Sequence, residues 1–96
     1  VMMYEALGFA APNKGHELAR SGATRLDGDL PVNTGGGLIG FGHPVGATGV
    51  KQVLEITRQM TGACGDYQMA TLPRLGVTSN VGGDDRTAVT MALRKV

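Results

Sequence analysis

The clearest periodicity in the chain lies just past Gly49. Val50, Val53, Leu54, Thr57 and Met60 recur at the spacing of one helix face, with Lys51, Gln52, Glu55, Arg58 and Gln59 assigned to the outside. The pattern predicts an amphipathic helix that ends near Met60, where Gly62 and Gly65 follow as stop signals and 62–66 reads as a loop. Further on, residues 75–80 read as a strand. Residues 86–94 alternate Val89, Met91 and Leu93 against Ala88, Thr90 and Ala92, the period of a second strand. The five residues 81–85 between them are short enough for a hairpin. Upstream, Val1, Met2, Ala6 and Phe9 predict a first helix that stops at Gly8; a turn over 11–15 then leads to a short helical turn over 16–20. The order helix, glycine-rich loop, helix, strand, strand places the chain in the α/β class, as half of a layered domain.

Composition changes the picture in one respect. Ninety-six residues suit one small domain, yet aromatic residues make up only 4%, there is no Trp, and sixteen glycines raise the entropy cost of folding. This composition suits a piece of a larger domain. The chain also starts at Val1-Met2-Met3, inside a helical pattern and without an initiating Met, so residues 1–96 are expected to be a C-terminal fragment. Nine basic and eight acidic residues are dispersed, for a net charge of +1. With no basic stripe interleaved with aromatics, nucleic acid is not an expected partner. The lack of an eighteen-residue apolar run or a signal-peptide pattern argues for a soluble protein without a membrane partner; the expected location is cytoplasmic, with an upstream signal and an organelle left open. The single cysteine, Cys64, excludes an internal disulfide and fits a reducing compartment.

The candidate chemistry sits in residues 33–49, where seven glycines surround one histidine. Leu38, Ile39, Phe41 and Val45 are too apolar, and Pro44 too stiff, for a solvated linker. Gly35, Gly37 and Gly40 satisfy G-x-G-x-x-G, but Asp27-Gly28-Asp29-Leu30-Pro31 precedes them where the dinucleotide fingerprint needs a strand. Asp27-Gly28-Asp29 itself reads as a turn, since Pro31 occupies the next ligand position of a calcium loop; no metal is expected. What the glycine run does is deliver His43 to a helix N-terminus, with its free N–H groups and positive dipole end. Pro44 fixes its own φ and restricts His43 to extended geometry. The dipole favours the neutral ring, able to take or give a proton. The competing reading is a buried histidine satisfied by a carbonyl. His16, among Lys14, Gly15 and Glu17, reads as exposed.

The block Gly42-His43-Pro44-x-Gly46-x-Thr48-Gly49 resembles the histidine motif of the thiolase superfamily. Tyr4-Glu5-Ala6-Leu7-Gly8-Phe9 resembles the helix after the family's His-Asp-Cys-Phe or Asn-Glu-Ala-Phe block, and Asn80-Val81-Gly82-Gly83 falls where thiolases place Cys-x-Gly-Gly-Gly. The resemblance covers most of the chain. It implies the C-terminal portion of a thiolase-like layered αβαβα fold, in which two halves stack as five layers. The implied activity is acyl-CoA acyl transfer, a Claisen condensation or thiolytic cleavage of a 3-oxoacyl-CoA through a cysteine thioester. Coenzyme A thioester would be the substrate, with no covalently bound cofactor, in a homo-dimer or homo-tetramer.

Carried over by motif, His43 is the base that deprotonates the cysteine and hydrogen-bonds the thioester oxygen. Gly82 matches the glycine whose N–H contributes to an oxyanion hole. Asn80 stands where standard thiolases have a second, acid/base cysteine, and an amide cannot shuttle a proton. Sterol-carrier-protein-type thiolases also lack that cysteine, a histidine of their His-Asp-Cys-Phe block taking its part; Asn80 and the longer segment before it resemble that branch. Asp84 and Asp85 replace further glycines and receive no role. Cys64 lacks the neighbours of the nucleophile block and follows a helix C-terminus, where thiolates are disfavoured. The nucleophile and most of the coenzyme A site are therefore expected upstream of Val1. Two rivals stand beside this reading: a thiolase-like carbon–carbon lyase working with a small partner protein, and a subunit that binds acyl-CoA or a partner without turnover.

Overall fold

Two short helices near the start of the chain are tied together by one carboxylate. In the computed structural model, which describes residues 1–96, α1 (Met2–Ala6) and α2 (Gly15–Arg20) belong to a first unit, Val1–Thr34. Glu5 accepts the N–H of Asn13 at 3.0 Å through Oε2 and that of Gly15 at 2.9 Å through Oε1. The predicted turn between the helices is closed by Lys14 N–H to the Ala11 carbonyl at 3.0 Å. The apolar spacing that predicted α1 is not what seats it, because Val1, Met2 and Phe9 are all exposed. A polar tie, invisible to periodicity, takes that part. The turn expected at Asp27-Gly28-Asp29 is present, with Gly28 N–H bonded to the Arg25 carbonyl at 3.0 Å.

The second unit, Gly35–Val96, holds α3 (Gly37–Phe41), α4 (Thr48–Thr61), a 3-10 turn (Gly65–Tyr67), β1 (Leu75–Gly82) and β2 (Thr87–Arg94). The strands form one antiparallel pair, in register from Leu75 opposite Arg94 to Gly82 opposite Thr87. α4 packs on β1. Gly76 makes the close approach possible, since a Cβ there would lie 2.5 Å from Ile56 Cγ2, and Gln52 Nε2 donates to the Ser79 carbonyl at 3.2 Å. The α/β class expected from the pattern is found, as one helix layer on one hairpin.

Three expectations are corrected. Residues 37–41 and 65–67 are helical turns where loops were expected. β1 runs two residues further than the expected 75–80, so Val81 and Gly82 join Asn80 in the strand and the turn is 83–86, closed by Arg86 N–H to the Gly83 carbonyl at 3.0 Å. Its central residues Asp84 and Asp85 have φ of 52° and 59°, the left-handed pair that suits the twist of a hairpin and that Asp tolerates. The two aspartates, unexplained by motif, shape the turn.

The third correction concerns the face of α4. Thr48, Gln59 and Met60 are its buried residues, whereas Val50 is 73% exposed and Leu54 and Thr57 are exposed too. Gln59, assigned to the outside, is only 4% exposed. Its Nε2 donates to the Tyr67 carbonyl at 2.8 Å, and its Oε1 accepts Gln68 Nε2 at 2.8 Å and Met69 N–H at 3.0 Å. A buried amide with both ends bonded escapes the penalty of an unpaired polar group. The glutamine therefore staples the following loop to the helix, which ends at a left-handed Gly62 as predicted.

Candidate functional site

The glycine run is held by what its glycines let in. Gly35 has no room for a side chain, because a Cβ would meet Phe41 Cε2 at 2.4 Å and Glu55 Oε1 at 2.6 Å. Phe41 folds back to this point, with Lys51 Nζ 3.6 Å from its ring centroid and the Tyr67 ring edge-on at 6.2 Å. Lys51 Nζ also lies 3.4 Å from Glu55 Oε2. One end of α3 is thus fastened to the first turns of α4. Leu38 and Ile39, which argued against a linker, remain exposed. A short helix does open inside G-x-G-x-x-G, but residues 27–34 before it are turns and bends rather than a strand, and the dinucleotide fingerprint stays incomplete.

α3 closes at Gly42, whose φ of 77° is left-handed and whose N–H bonds the Leu38 carbonyl at 2.8 Å. His43 follows at once. The Pro44 carbonyl then accepts the N–H of Ala47 at 2.8 Å and of Thr48 at 3.0 Å, a turn that leads straight into α4. Ala47 occupies the N-cap and offers no side-chain acceptor, so no side chain caps the start of α4. His43 is exposed. Its Nδ1 lies 2.7 Å from Thr48 Oγ1, which in turn is 3.2 Å from the Pro44 carbonyl oxygen. Thr48 is 6% exposed. The imidazole is therefore presented on the surface by a buried threonine, not held in the interior by a carbonyl.

Asn80 is half-buried in β1 opposite Val89. Its Nδ2 would stand 3.2 Å from a Cβ on Gly49. His43 and Asn80 thus each reach the first turn of α4, through Thr48 and Gly49. Gly82 lies two residues along the strand, roughly 7 Å by strand rise, with open space where its Cβ would be. Of the predicted site residues, His43 bonds Thr48 and Asn80 approaches Gly49, adjacent residues at the start of α4, while Gly82 lies two residues beyond Asn80 in β1. Motif reading gave no part to Thr48 or Gln52; the one signal was a hydroxyl residue at the helix start, five positions after the histidine.

Cys64 is buried just past the C-terminal end of α4. Burial pushes its thiol up, the Glu55 carboxylate pushes the same way, and a hydrogen bond with Tyr67 partly offsets them. No Cys–His pair forms. His16 is exposed as expected, 4.0 Å from Glu17. No helix is long and apolar enough to cross a membrane.

Comparison with known proteins agrees with the motif. A family model described as "Thiolase C-terminal domain-like" matches residues 1–95. Acetyl-CoA acetyltransferase of Methanothermobacter thermautotrophicus is 42% identical over 88 residues, 92% of this chain and 23% of its own length. Benzoylsuccinyl-CoA thiolase subunit BbsB of Thauera aromatica is 33% identical over 94 residues, 98% of this chain and 24% of its own. Sterol carrier protein 2 of Oryctolagus cuniculus is 35% identical over 91 residues, 95% of this chain and 16% of its own. The chain spans about a quarter or less of the length of these curated relatives.

Proposed function

The chain belongs to the thiolase C-terminal domain-like family, and from that premise we propose that it is the C-terminal part of an acyl-CoA acyltransferase in which His43 is the general base. Acyl transfer through a thioester needs a thiolate, a base to form it and N–H donors for the oxyanion. The observation that carries the reading is the exposed His43 imidazole, anchored by buried Thr48 at a helix start that no side chain caps. His43 takes the proton of a cysteine thiol supplied from outside these residues. In the cleavage direction the thiolate attacks the 3-oxo carbon of the acyl-CoA. The bond between the second and third carbons breaks, and the departing acetyl-CoA carbanion takes up a proton. Coenzyme A then attacks the acyl-enzyme thioester and restores the cysteine.

Cys64 is unsuited as that nucleophile, being buried, raised in pKa and at the far end of α4. Gly82 contributes an N–H to the oxyanion site, a donor typically worth about 3 kcal/mol in the transition state. Asn80, which does not titrate, orients through its amide. Coenzyme A thioester is substrate rather than resident cofactor, and the whole protein acts as a homo-oligomer.

In the whole protein, His43→Ala lowers thioester formation about 100-fold or more, the scale of general-base loss. Equal acylation rates in variant and parent overturn the reading. A second reading draws on the relatives' names, which include "Non-specific lipid-transfer protein-like 2" of Caenorhabditis elegans, 35% identical over 82 residues. On that reading the whole protein binds acyl-CoA without turnover. Saturable binding with no thioester formed in the parent selects it.

A further inference from the structure

We propose that Thr48 is a positioning residue that sets the tautomer of His43, keeping the proton on Nδ1 so that Nε2 presents its lone pair. A threonine hydroxyl carries one proton and two acceptor sites. Thr48 Oγ1 makes two contacts, 3.2 Å to the Pro44 carbonyl oxygen and 2.7 Å to His43 Nδ1. The carbonyl can only accept, so that bond uses the hydroxyl's single proton. Nδ1 must then be the donor in the other bond. With the opposite tautomer the hydroxyl would turn to Nδ1, and two oxygens would face each other at 3.2 Å with no proton between them. Both contacts are satisfied only when Nδ1 carries hydrogen.

The consequence is mechanical. When Nε2 gains a proton, the Nδ1–H bond to Thr48 persists unchanged, so the ring moves a proton through one nitrogen while the other stays anchored. Burial of Thr48 shields the anchor from exchange with water. The part this plays in turnover rests on His43 being the base; the tautomer itself does not.

The test is nitrogen NMR of the whole protein labelled with 15N-histidine, above the pH at which the ring titrates. The parent is expected to show a proton-bearing Nδ1 and a pyridine-type Nε2. Thr48→Val keeps the branched shape and leaves the Pro44 carbonyl its two backbone N–H partners. In that variant an Nε2-protonated form appears and turnover falls about 10- to 100-fold, the scale on which a metal-bound histidine responds to loss of its orienting partner, with kcat carrying the loss and KM nearly unmoved. Thr48→Ser restores both tautomer and rate. A parent ring protonated on Nε2, or a valine variant with the parent's tautomer, overturns the proposal. If the valine variant does not fold, the shifts of parent and serine variant still decide it. If His43→Ala shows that His43 is not the base, the ring shifts decide the tautomer independently of that result.

Discussion

Glu5 shows what one side chain does where apolar burial is thin. Its carboxylate accepts the N–H of Gly15 and of Asn13, and these bonds, Gly15 first, hold its pKa below the ordinary carboxylate range. A pKa lowered on folding contributes stability that is present above the unfolded pKa and lost as pH falls through the folded one. On acidification of the whole protein through that window, the hydrogen-exchange protection of the Asn13 and Gly15 amides should therefore fall once intrinsic rates are corrected. Glu5→Gln should lower protection at neutral pH and remove its dependence on this titration. Protection unchanged by both acid and substitution would show that the carboxylate does not hold the turn.

Among the elements, the seam between α4 and β1 decides where His43 stands relative to Asn80. The seam consists of Ile56 over Gly76, Gln52 bonded to the Ser79 carbonyl, and Asn80 against Gly49. Past the end of β2, Lys95 Nζ reaches the Met60 carbonyl at 2.9 Å and fixes the other end of the helix. Gly76→Ala would put a methyl 2.5 Å from Ile56 Cγ2, an overpacking that typically costs about 1–3 kcal/mol. The variant should lower the denaturation midpoint of the whole protein. Adding Ile56→Ala should then cost less in the Gly76→Ala background than in the parent, because the two share one space. Strict additivity in that double-mutant cycle would mean the seam relaxes elsewhere.

Taken whole, the chain has more apolar faces than it has cover for. Met60 and Cys64 are its only buried hydrophobic residues, and no large side chain is fully buried. Gly76, Thr78 and Asn80 share one face of β1, the face that meets α4; Leu75, Val77 and Val81 alternate onto the other and are exposed. Val50 and Leu54 form a second open stripe on α4. A two-stranded hairpin is marginal in water without further strands or a covering layer. Residues 1–96 expressed alone should therefore associate or unfold at low denaturant, and should not turn over acyl-CoA. Sedimentation velocity beside a urea titration checks the first half, and a monomeric, cooperative transition of ordinary stability would refute it. Thioester cleavage that disappears on replacing Cys64 would refute the second.

Features that depend on near neighbours were legible in the sequence by itself. The 3.6-residue period and Gly62 located α4, strict alternation located β2, and Gly42 and Pro44 around His43 put an imidazole at a helix start. Each is a matter of backbone restriction or local spacing, with no distant partner involved. The family motif added the expected company of Asn80 and Gly82. Only the tertiary structure decided which side of α4 turns inward. Val50, Leu54 and Thr57 match one helical stripe, but Gly76 opens its gap beneath Ile56, and Gln59 is drawn in by partners at 67–69. The continuation of β1 through Val81 and Gly82 likewise required Ala88 and Thr87 across the ladder. Thr48 sits in the motif in plain view, yet its hold on His43 exists only because the Pro44 turn brings the two side chains within 2.7 Å. Periodicity records where apolar groups recur; it does not record which buried polar group finds a partner, and in this chain those partners set the packing.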